Sequence, residues 1–75
     1  MHAAGARLYL PPKQQAILDR AYSEATRGMS LSVSEEAAVR DKAAREIEAT
    51  GKASISVQEA RRFVREALFE RRENA

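Results

Sequence analysis

Seventy-five residues allow one domain at most, and a chain this short buries only about 60 to 65% of its unfolded surface, so its core has little to spare. There is no cysteine, which excludes a disulfide and a thiolate metal site as supplements to that core. A formal charge of +2 is too small to argue for nucleic acid by itself.

Residues 1–7 read as a flexible tail ahead of a single domain over 8–73. They lack the apolar stretch of a signal peptide, and no segment approaches the roughly 20 apolar residues of a membrane span. The expected address is cytoplasmic, with no membrane partner. Arginine far outnumbers lysine and alanine is abundant, a composition of the kind a GC-rich bacterial genome produces.

Leu8-Tyr9-Leu10 is a short apolar run stopped by Pro11-Pro12. Proline fixes φ and pushes the preceding residue out of the helical region, so the run is expected to be extended and the prolines to open a first helix. Over about 12–27, Ile17, Leu18, Ala21, Tyr22 and Ala25 fall on one helical face, and Gly28 supplies a left-handed stop.

Ser32-Val33-Ser34-Glu35 is a capping box: the Ser32 hydroxyl accepts from a first-turn amide while Glu35 reaches back. It opens a second helix over about 33–50, stopped by Gly51, with an alanine-rich inner stripe of Val33, Val39, Ala43, Ala44 and Ile47. Arg40 is expected on the inward half, its stem snorkelling out or its head pairing with Glu36 one turn earlier. Ser56-Val57-Gln58-Glu59 repeats the box, with Ser56 and Glu59 as partners, and opens a third helix over about 56–72. That helix buries Val57, Ala60, Val64, Ala67 and Leu68, with Phe63 packing against helix 1 or 2. Loops this short turn consecutive helices back on each other, so the predicted fold is all-α, a small three-helix up-down-up bundle with a short extended N-terminal segment.

The two boxes belong to a longer echo. Glu24–Glu35 and Glu48–Glu59 align at an offset of 24, with seven of twelve residues identical. Tested as calcium loops, both copies fail: the second places Lys52 where an oxygen ligand belongs and Ala53 where the sharp turn needs glycine. The echo reads as a repeated joint between helices, whether by duplication or because similar joints need similar residues.

No residues converge on catalysis. The only histidine, His2, lies in the tail; the serines occupy caps; the acid pairs Glu35–Glu36 and Glu46–Glu48 point to different helical faces; no glycine-rich loop is present to cradle phosphate. The expectation is therefore no enzyme, no catalytic residue, no metal, no cofactor and no small-molecule substrate.

The candidate partner-binding residues lie on the outer side of helix 3. At about 100° per residue, Arg62, Arg65 and Phe69 fall together opposite the stripe of Val57, Val64 and Leu68, with Gln58 one turn earlier and Arg72 one turn later. An aromatic among arginines is what a protein–protein hot spot or a base-stacking site uses. The competing expectation, favoured because a small core can ill spare a phenylalanine, is that Phe69 folds back onto Leu8-Tyr9-Leu10 and the arginines are merely solvated.

Two functions follow. The first is a non-enzymatic protein–protein interaction module, such as an adaptor, inhibitor or regulatory subunit, binding another protein or a second copy of itself through a helical face. The second is a small DNA- or RNA-binding regulator using the arginine-rich third helix. Val64-Arg65-Glu66-Ala67-Leu68 resembles the recognition-helix wording of some bacterial repressors. Against this, the Gly51–Ser56 connection is longer than the usual turn, and Glu59, Glu66, Glu70 and Glu73 would travel with the helix toward phosphate.

Overall fold

The computed structural model describes the backbone of residues 10–74 and the side chains of residues 10–71. Three helices are present, α1 (Pro12–Ala25), α2 (Val33–Ala49) and α3 (Val57–Asn74), forming the expected all-α three-helix bundle. Among the described residues there is no strand, and no helix is long and apolar enough to cross a membrane. The expected tail at 1–7 and the contribution of Leu8 and Tyr9 lie outside the described residues; Leu10 is buried and Pro11 is extended at ψ 151°.

Each helix begins where the sequence places it. Pro11 precedes α1 and Pro12 opens it. Ser32 caps α2: its Oγ accepts from Glu35 N at 3.1 Å, and its own N–H donates to Glu35 Oε1 at 2.9 Å. Ser56 caps α3 likewise, at 3.1 Å and 3.4 Å. The two glycines carry positive φ, +82° at Gly28 and +70° at Gly51, a conformation that costs a side-chain-bearing residue about 1 to 2 kcal/mol. Helix α1 ends at Ala25, two residues earlier than expected, because Thr26 turns its Oγ back to Tyr22 O at 2.7 Å and the chain enters a turn that closes with Met29 N–H on Thr26 O.

The centre of the bundle is α3, which packs extensively against both α1 and α2; those two meet each other only slightly. The core is one cluster: Leu18, Ala21 and Tyr22 from α1, Val39, Ala43, Ala44 and Ile47 from α2, and Ala60, Phe63, Val64, Ala67 and Leu68 from α3. Four of the nine core residues of α2 and α3 are alanines, Ala43, Ala44, Ala60 and Ala67, good helix formers that bring little bulk. Leu10 and Ile55 close the cluster from outside the helices, with Leu31 packed against it.

The slight α1–α2 contact is bridged by polar groups instead. Arg40 Nη1 donates to Asp19 Oδ1 at 2.6 Å, its Nε lies 3.2 Å from Glu36 Oε2, and its guanidinium stands 4.6 Å from the Tyr22 ring centroid. The pair with Glu36 was expected; the reach across to α1 was not. That Nε is buried and not aligned to donate to Glu36, so Asp19 is the stronger partner.

One core assignment is corrected. Val33, placed on the inner stripe of α2, is 85% exposed. It is the first residue of α2, and helical spacing alone does not secure burial at an element's end.

Candidate partner-binding surface

The outer face of α3 follows from the same periodicity that builds the core. With Ala60, Phe63, Val64, Ala67 and Leu68 turned inward, Phe69 points almost directly away from the bundle and is 63% exposed. The expected fold-back of Phe69 onto Leu8-Tyr9-Leu10 is not seen toward Leu10, and Leu8 and Tyr9 lie outside the described residues. Leu10, the described part of that segment, is instead built into the core cluster.

Around Phe69 lies a shallow depression lined by Arg62, Arg65, Glu66, Phe69 and Glu70. Three of the five candidate residues thus come together, and Gln58 is exposed one turn earlier on the same helix. The Arg72 side chain lies outside the described residues. Arg62 is loosely held, 3.9 Å from Glu66 and 5.6 Å from the Phe63 ring centroid. Among the described residues Arg65 forms no ion pair. The acids of this helix are better matched: Glu70 lies 3.4 Å from Lys42 on α2, and Glu59 lies 2.9 Å from Lys52. Arg61, turned toward α1, is spent on Glu24 of that helix at 2.9 Å.

The capping carboxylates are committed. Hydrogen bonds from Ser32 hold the Glu35 carboxyl below its ordinary 4.5, and the Lys52 ammonium with the Ser56 N–H does the same for Glu59. Glu24 is lowered as well, first by its hydrogen bond from Arg20 and then by the charges of Arg20 and Arg61. No three His, Cys, Asp or Glu side chains among the described residues gather in a way that could hold a metal.

Two features escaped the sequence reading. One is a groove of Met29, Ser30, Leu31, Glu35, Val39, Leu68 and Arg71, between the α1–α2 loop and the last turns of α3. Its lining brings a loop together with the ends of two helices, which no local pattern reveals. The other is Gln14, 4% exposed, whose Nε2 donates to Lys52 O at 2.8 Å and ties the start of α1 to the α2–α3 loop. A lone glutamine on a helix face carries no signal of such a role.

No protein-family model matches the chain, and no curated protein or solved structure is significantly similar to it.

Proposed function

We propose that the chain is a non-enzymatic protein–protein interaction module that binds its partner through the outer face of α3. The observation that carries this reading is the position of Phe69: opposite the core, largely exposed, and flanked by Arg62 and Arg65 in one depression. A single exposed apolar side chain is ordinary on a protein surface. What supports the reading is that Phe69 is grouped with Arg62 and Arg65 in one depression, whereas Tyr22 and Phe63 are buried. Aromatic and arginine side chains are the types that dominate binding energy at interfaces. The Ser32 and Ser56 hydroxyls and the Glu35 carboxylate are engaged in caps, which is in keeping with a non-catalytic role. The reading fits an adaptor, inhibitor or regulatory subunit, expected in the cytoplasm.

Photo-crosslinking tests it. A benzophenone side chain in place of Phe69 should give discrete protein adducts in extract of the source cells, whereas the same group at the exposed Lys13 should not. Equal labelling from both positions contradicts the proposal. So does steeply salt-dependent binding to mixed duplex DNA that disappears in an Arg62→Ala/Arg65→Ala variant, which is the behaviour a nucleic-acid regulator would show.

A further inference from the structure

Resting on that reading, we infer that the occupant of the α3 face is an acidic segment of another protein that brings one large apolar side chain onto Phe69. The charge on this face is sorted. Phe69 and Arg62 form the crest, Gln58 and Arg65 lie along one flank, and Glu59, Glu66 and Glu70 lie along the other. The acidic flank is already answered within the chain, by Lys52 for Glu59, Lys42 for Glu70 and, at 3.9 Å, Arg62 for Glu66. The basic side is answered less fully: Arg62 shares the long contact with Glu66 and its charge also reaches Glu59, while Arg65 has no carboxylate within ion-pair distance among the described residues. What the face offers is therefore an apolar knob beside incompletely answered positive charge, complementary to carboxylates around an apolar anchor.

The same sorting argues against a second copy. In an antiparallel two-fold pair each flank meets its own copy, setting Arg65 against Arg65 and Glu66 with Glu70 against their equivalents. In a parallel pair the flanks match, but the crest sets Arg62 on Arg62 and leaves Phe69 as the single apolar layer. Either arrangement juxtaposes like charge with too little apolar contact to offset it. Nucleic acid is opposed by three glutamates on the face against the two arginines Arg62 and Arg65, the first of them shared with Glu66. One helix face is also a small interface, so an affinity on the order of micromolar is expected.

Selection of a displayed library of random dodecapeptides on the intact chain tests the inference. The expected winners carry clustered Asp or Glu around one aromatic or leucine. Their affinity should drop about tenfold or more in Phe69→Ala and in Arg65→Glu. It should also weaken several-fold between about 50 and 300 mM salt. An Arg62→Glu/Arg65→Glu variant should instead select basic peptides. Circular dichroism melting confirms that each variant keeps its fold, which these exposed positions permit. Winners that require Phe69 but carry no acidic bias overturn the inference and leave the protein-docking reading intact. A dimer by light scattering that Phe69→Ala dissolves does the same, in favour of a second copy. Winners indifferent to Phe69→Ala, or no winners, overturn both.

Discussion

At the residue scale, the instructive side chain is Arg40. Its partners come from two helices: Asp19 of α1 at 2.6 Å and Glu36 of its own helix at 3.2 Å, with the Tyr22 ring beneath. The Arg40 side chain is 32% exposed and that of Asp19 is 49% exposed, so solvent screens the pair and its worth is at the upper end of the surface range rather than that of a buried bridge. Arg40→Ala, which also loses the contact over Tyr22, should cost about 1 kcal/mol, and Asp19→Ala about half as much. Urea denaturation of both variants and of the double variant measures the coupling. Equal and additive losses would show that the two groups do not act together.

At the scale of the element, the starts and stops of helices each make a separable contribution to stability. Ser32→Ala and Ser56→Ala should each cost about 1 kcal/mol by thermal or urea unfolding. Gly51→Ala should cost about 1 kcal/mol through its positive φ alone, since a Cβ there would meet no neighbouring atom. The charges at these joints also set the acid limit. Glu24, Glu35 and Glu59 all have folded pKa values below their ordinary 4.5, so the folded state holds fewer protons than the unfolded one. Their contribution is complete above about pH 4.5 and is lost as pH falls through the lowered values. At the other extreme, hydrogen bonding chiefly to Glu46 raises Lys42 above 10.5, and burial raises Tyr22 above 10.0. Both keep their protons longer when folded, so their contribution is present at neutral pH and disappears as pH climbs through the raised values. Melting temperature against pH should therefore be flat near neutrality and fall on both sides. Replacing Glu35 and Glu59 by glutamine should flatten the acid limb, and an unchanged limb would contradict this assignment.

At the scale of the whole molecule, what local pattern encodes can be separated from what it does not. The capping boxes, the left-handed glycines and the inward stripes of α1 and α3 are local and were legible. The echo was legible too, but its two copies do different work. Val57 packs against the core, whereas its counterpart Val33 is 85% exposed, because burial depends on what the rest of the fold sets beside an element's end. The groove beside Leu68 is likewise assembled from a loop and two helices. Phe69 is the converse case. Its outward placement was legible from helical spacing, yet the demand for apolar burial in a small core favoured folding it back, and geometry prevailed. The candidate face was thus visible in the sequence as a pattern, while the uneven pairing of its charges required Lys42, Lys52 and Glu24 from other elements.

The account depends on Phe69 contributing nothing to folding while Phe63, six residues earlier on the same helix, belongs to the core. Urea denaturation of Phe69→Ala beside Phe63→Ala measures this directly. The prediction is a change within about 0.5 kcal/mol for Phe69→Ala and a loss of about 3 kcal/mol or more for Phe63→Ala. A comparable loss at both positions would mean that Phe69 is held by the fold itself, and the outer face of α3 would no longer call for a partner.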